Sequence, residues 1–152
     1  MKKILDGFPK SAHPMGILSS LTSALVAFNP STVDTSSEEV IYHSIVRILG
    51  KLPVLVAWTM RKKMGLPLDY GDSSLGYVEN IHKMMFKHPD KEYVKDSIVI
   101  NALDKLLILH ADHEQNASTS TVRLAASSLA NPMACIASGI TSLWGPSHSG
   151  AN

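Results

Sequence analysis

The sequence predicts an all-α fold. No segment alternates Val, Ile or Tyr with polar residues, and no Asn-Gly or Asp-Gly pair joins two such runs as a hairpin. Apolar residues instead recur at helical spacing along most of the chain. With 152 residues, 45% hydrophobic and 18% charged, the chain has about one domain's worth of core-forming sequence, which excludes disorder.

The first helix is expected from about residue 15 to 28, with Leu18, Leu21, Leu25 and Phe28 on one face, and Asn29-Pro30 ending it. After a polar loop, Ser36 or Ser37 caps a second helix, whose first turn holds Glu38 and Glu39 against the dipole. That helix is expected to break or kink at Pro53. A further helix then runs from 54 to 64 and stops at a basic turn and Gly65. Ser73 or Ser74 opens the next, through Tyr77, Ile81 and Met84 to Phe86. The segment from about 94 to 111 carries two adjacent apolar rows, Val94, Ile98, Ala102, Leu106, Leu109 and Val99, Leu103, Leu107. A stripe that wide predicts near-complete burial. Two helices rich in Ala, Ser and Gly follow, at about 118–129 and 132–143. Asn131 caps the second, Pro132 takes its first position, and the small residues let the two backbones approach closely.

Several function classes are excluded. Fourteen basic against thirteen acidic residues, net +1, leave no electrostatic footprint for nucleic acid, and 6% aromatic residues give no stacking platform. The single cysteine, Cys135, excludes an internal disulfide framework or a Cys-rich zinc site. Asp6, Pro9 and Lys10 interrupt the basic start before an apolar core forms, so no secretory signal is expected. The apolar runs at 52–60 and 102–109 fall short of the roughly 20 residues a membrane span needs. A soluble, cytoplasmic protein is expected.

Seven histidines are the candidate chemistry. His13, His43, His82 and His88 are scattered and read as surface or structural residues. His110 and His113 lie three apart where the apolar 94–111 helix ends, beside Asp112, Glu114, Gln115 and Asn116. A helix C-terminus favours protonated imidazole, and with it an anion bound alongside. The same spacing suits a metal, but there is no His-Glu-x-x-His pattern or Cys cluster, so no metal site is expected. His148 lies in a loop of small and turn-forming residues, 145–152. At the start of a helix it would be held neutral, able to donate to a developing oxyanion.

Together these motifs carry a resemblance. Residues 107–124 (LILHADHEQNASTSTVRL), Ala130-Asn131-Pro132 and residues 142–152 (SLWGPSHSGAN) closely resemble citrate synthase, as do Ser11–Met15 (SAHPM) and residues 80–86 (NIHKMMF). The resemblance implies that residues 1–152 are an internal piece of that enzyme's multi-helical large domain, inactive alone. The whole enzyme would condense oxaloacetate and acetyl-CoA into citrate and CoA as a dimer or hexamer. Acetyl-CoA is a substrate, and no cofactor is implied.

It further implies that His113 binds oxaloacetate with His110 and Asn116, that His148 is the first catalytic histidine, and that Ser147, Ser149, Gly150 and Asn152 line the acyl-CoA side. Ser149 stands where the family more often has glycine. The second catalytic histidine, the aspartate and the carboxylate-binding arginines would lie beyond Asn152. Two alternatives stay open: 2-methylcitrate synthase, which uses propionyl-CoA, and a non-catalytic helical module that binds a dicarboxylate.

Overall fold

The computed structural model describes residues 1–111 and 114–148. Among them there is no strand. The elements are α1 (Lys2–Asp6), α2 (Pro14–Ala24), α3 (Glu38–Met64), α4 (Tyr77–Phe86), α5 (Ser97–Ala111), α6 (Ala117–Ser127) and α7 (Pro132–Ser142), with 3-10 turns at Leu25–Phe28 and Pro30–Thr32. α2 packs against α3 and α7, α6 against α7, α4 against α3, and α5 against α4. The core lies where the first of these contacts meet: Leu5, Ile17, Leu21, Leu25, Ile48, Leu55, Trp58 and Met133 are all buried. Each such side chain contributes about 1.5–3 kcal/mol relative to exposure. Buried hydroxyls do not disturb this core, because Thr22, Ser44 and Thr59 each bond back to the carbonyl four residues earlier.

The break or new start expected at Pro53 does not occur. α3 runs unbroken for 27 residues with Pro53 inside it, capped by Ser37 at one end and by left-handed Gly65 at the other. Proline has no N–H to give the carbonyl four residues back, so the Leu49 carbonyl loses its helical donor. The Tyr77 hydroxyl, from the start of α4, donates to that carbonyl at 2.9 Å. Burial pushes the Tyr77 phenol above its ordinary pKa, so the proton it donates is retained. By length and composition α3 is also apolar enough to cross a bilayer, which counting uninterrupted apolar runs had missed. Packing against α2, α4 and α7 covers part of it, burying Ile48, Leu55, Ala57 and Trp58, while Tyr42, Ile45, Val46 and Leu49 stay exposed.

The end of α3 organises the next connection. Arg61 is buried, has no carboxylate partner among the described residues, and donates instead to carbonyls, those of Pro67, Met84 (3.1 Å) and Lys87 (2.9 Å). Met84 and Lys87 lie at the C-terminus of α4, where carbonyls have no helical donor and the dipole is negative. One guanidinium thus closes α4 and the loop before it. Lys62 and Lys63 reach the carbonyls of Asp6 and Ala12 and tie the N-terminal segment to the same end.

Three other expectations need correction. α4 begins at Tyr77, because Ser74 is spent on a local turn, its N–H and hydroxyl both bonded to Asp72. α6 ends at Ser127 rather than 129, because Leu129 adopts left-handed geometry, φ 61°. Its carbonyl accepts from the Thr35 hydroxyl at 3.0 Å. The largest difference is α5. Asp96 holds its first turn by accepting from the N–H groups of Ile98 and Val99, but no residue of the helix is buried. Ile98 is 82% and Leu109 68% exposed. Among the described residues α5 packs mainly against α4, so most of both apolar rows is exposed.

Replacing Tyr77 by Phe leaves the Leu49 carbonyl unpartnered, at a cost of about 1 kcal/mol. Hydrogen exchange should then quicken about fivefold at the amides of α3 that flank Pro53 and stay unchanged in α6. Equal rates in both proteins would show that the hydroxyl does not stand in for the missing donor.

Candidate functional site

His148 is positioned from α7. On the side facing α2, the Ser19 hydroxyl lies 3.0 Å from the Ala137 carbonyl and 2.7 Å from the Thr141 hydroxyl, which itself lies 2.9 Å from that carbonyl. One hydroxyl donates to the carbonyl and the other to its neighbour, a small polar lock between two apolar helices. On the opposite contact, a Cβ at Gly139 would lie 2.7 Å from a Val122 methyl, so α6 and α7 approach as closely as their small residues predict.

Beyond α7 the chain turns twice, the Trp144 N–H bonding to Thr141 O at 3.1 Å and the His148 N–H to Gly145 O at 3.0 Å. Ser147 is exposed on this turn and His148 half-buried. Ser149, Gly150 and Asn152 lie outside the described residues.

Trp144 is held from α2. Its ring stacks on His13 with centroids 5.3 Å apart and planes inclined by 23°. Gly16 supplies the floor, since a Cβ there would come within 2.9 Å of Trp144 Cη2. His13 is itself fixed. It caps α2, its Nδ1 accepting from the Met15 N–H at 3.2 Å.

The second cluster sits at the junction of α5 and α6. His110 is exposed on the last turn of α5, and its Nδ1–H donates to the Leu106 carbonyl at 2.7 Å, leaving Nε2 for another partner. His113 lies outside the described residues. Asn116, half-buried, caps α6: its Oδ1 accepts from the Thr119 N–H at 2.9 Å and the Ser118 hydroxyl at 2.7 Å. Its amide hydrogens remain available. Gln115 donates to Ser120 at 3.1 Å and accepts from Arg123 at 3.5 Å, which brings a guanidinium to the first turns of α6. A helix N-terminus beside an arginine suits a carboxylate. The sequence reading named Gln115 only as a polar neighbour of the histidines and gave Arg123 no role.

The scattered histidines have local partners: His43 lies 3.7 Å from Glu39, His88 3.7 Å from Asp90, and His82 Nδ1 3.0 Å from the Tyr93 hydroxyl. Among the described residues no three His, Cys, Asp or Glu side chains converge as metal ligands. Burial raises the Cys135 thiol above its ordinary pKa, and the thiol donates to Ala130 O at 3.3 Å, so it is not a poised nucleophile.

The family model for citrate synthase, C-terminal domain, matches residues 1–152, the whole chain. The chain belongs to the citrate synthase family. It is 48% identical, over all 152 residues, to citrate synthase 1 of Mycobacterium tuberculosis, and it spans 35% of that relative's length. Among solved structures, the citrate synthase of Pyrobaculum aerophilum is similar with a TM-score of 0.85 at 28% identity, covering 96% of this chain and 37% of its own. The citrate synthase of Thermotoga maritima gives 0.76 at 27% identity, covering 99% and 36%. A third, from Thermoplasma acidophilum, shares the fold with a TM-score of 0.85 at 21% identity and 99% and 39% coverage. That structure is a ternary complex with carboxymethyl coenzyme A and oxaloacetate. The all-α expectation is thereby met by a citrate synthase fold.

In this family member Asn116 serves a helix as well as any ligand. Asn116→Ala should cost α6 about 1 kcal/mol, seen as faster amide exchange at Thr119 and its neighbours, while Asn116→Ser keeps the cap and the exchange rate. Unchanged protection in the alanine variant would mean that the side chain is not the cap that holds this turn.

Proposed function

We propose that this chain is the part of a citrate synthase that carries its oxaloacetate pocket and first catalytic histidine. The whole enzyme condenses acetyl-CoA with oxaloacetate and water to citrate and CoA. The observation that carries this reading is the unbroken family match over residues 1–152, which takes in both histidine motifs. His110, His113 and Asn116 bind oxaloacetate. The N-terminus of α6 and Arg123 favour the negative charge that the substrate brings.

His148 is the catalytic residue of this piece. A thioester methyl is a very weak acid, so losing its proton to a carboxylate base requires a donor on the thioester oxygen at the same moment. His148 supplies that hydrogen bond, and the enol then attacks the ketone carbon of oxaloacetate. Water finally cleaves the citryl thioester, releasing CoA. Ser147, Ser149, Gly150 and Asn152 flank the acyl-CoA. The base, the second histidine and the carboxylate-binding arginines come from segments of the enzyme outside this chain. Acetyl-CoA enters as a substrate, and no resident cofactor takes part.

The enzyme works as a homo-oligomer, a dimer or hexamer, a reading supported by the exposed Tyr42, Ile45, Val46 and Leu49 on α3. Residues 1–152 are a portion of the large helical domain, and other portions cover the bare rows of α5.

In the protein translated from its complete reading frame, His148→Ala should lower kcat at least a hundredfold with little change in oxaloacetate binding. His113→Ala should do the reverse. Equal effects of the two variants on both quantities would undo the assignment of roles. Propionyl-CoA preferred over acetyl-CoA in the same assay would move the activity to 2-methylcitrate formation.

The 152-residue polypeptide alone should be inactive and should self-associate through α5, as read by sedimentation. A monodisperse monomer with a cooperative unfolding transition would contradict that.

A further inference from the structure

We propose that His110 takes oxaloacetate as an imidazolium, so that binding at this residue brings a proton with it; the inference rests on the function proposed above, in which His110 is a ligand of oxaloacetate. His110 Nδ1 lies 2.7 Å from the Leu106 carbonyl, one turn earlier on α5. A carbonyl oxygen only accepts, so Nδ1 carries a proton. Neutral imidazole has a single N–H, and here it is spent on the helix. Nε2 of the neutral ring is therefore a lone pair, able to accept and unable to donate.

Oxaloacetate offers the opposite of what that lone pair needs. Its two carboxylates and its ketone present acceptor oxygens alone. Lone pairs facing one another repel, and the contact becomes a hydrogen bond only when Nε2 gains a proton. His110 then donates from both nitrogens, to Leu106 on one side and to the substrate on the other. The other neutral tautomer would donate to the substrate only by giving up the Leu106 bond. Position favours the cation as well, since His110 is exposed on the last turn of α5, at the negative end of the helix dipole.

Charges around His110 tune how readily it protonates but leave the choice of nitrogen to Leu106. On α5 itself they are Asp104 and Lys105, with Glu114 just past its end. Asp112 and His113 lie outside the described residues. From α6, Arg123 is bonded to Gln115. On α4, the helix against which α5 packs, Glu79 pairs with Lys95 at 2.6 Å and Lys83 lies 3.6 Å from Asp69. His82 on the same helix is 3.0 Å from the Tyr93 hydroxyl.

The test is the pH dependence of oxaloacetate binding, whose carboxylates are both ionised between about pH 6 and 9. His110→Asn keeps an N–H where Nδ1 stands, for the Leu106 carbonyl, and removes Nε2. In the enzyme from the complete reading frame, calorimetry should give a Kd for oxaloacetate about tenfold weaker in the variant than in the parent at about pH 6. The ratio should shrink as pH rises through the imidazole range and come within about twofold by about pH 9, because the parent loses its contact as the imidazolium deprotonates. Other titrating groups, His113 and His148 included, are common to both proteins and cancel in the ratio. In two buffers of different ionisation enthalpy near neutral pH, the parent should take up roughly half a proton more per oxaloacetate than the variant.

A ratio near ten that holds at every pH overturns the proposal, because the contact is then made without a titrating proton. Equal Kd values at every pH overturn it differently, by removing His110 from the oxaloacetate pocket. A parent enzyme that forms no citrate or homologous product takes down the function itself, which neither of the other results does.

Discussion

The packing of α2 against α7 is the contact on which the rest of the structure depends. It places Ile17 and Leu21 beside Met133 in the core and adds one polar lock, the Ser19 and Thr141 hydroxyls around the Ala137 carbonyl. Small residues bring the two backbones close enough for that lock to form, because a hydroxyl on a short side chain cannot reach across a wide interface. The same approach lets Gly16 face Trp144. The helix pair that builds the core therefore also sets the exit of the chain toward His148. A loosened core would be felt at the site, and the site geometry depends on the core being close-packed.

Away from that contact, the fold repairs local defects with distant polar groups. Pro53 would normally end or kink a helix, and α3 continues because a tyrosine from the next helix supplies the absent hydrogen bond. The C-terminus of α4 ends in carbonyls without donors, and the buried guanidinium of Arg61 reaches them from α3. Arginine suits this position because its planar fork offers several donors at once, so one side chain satisfies acceptors on two segments. In both cases the group that completes one helix sits on another, which couples the helices beyond apolar contact.

The site shows the same economy. Asn116 holds the first turn of α6 through its oxygen alone, and His110 spends one ring nitrogen on its own helix and keeps the other. Such residues are pre-oriented by the bonds they already make, which lowers the ordering cost of binding.

The sequence alone determined the helical class, a serine cap at 36 or 37, the cap at Asn131, the close pairing of the small-residue helices and the two histidine motifs. Each of these rests on neighbouring residues: periodicity, a capping side chain, or a motif contiguous in the chain. Tertiary structure decided what required a partner far away. Whether Pro53 broke a helix depended on Tyr77, and where α6 ended depended on a left-handed Leu129 whose carbonyl Thr35 holds. The burial expected of α5 failed for the same reason, since a wide apolar stripe states that a surface must be covered but not by which element. His13 shows the limit most clearly: the sequence reads it as a surface or structural histidine, and only the fold shows it capping α2 and brings its ring onto Trp144, more than a hundred residues along the chain.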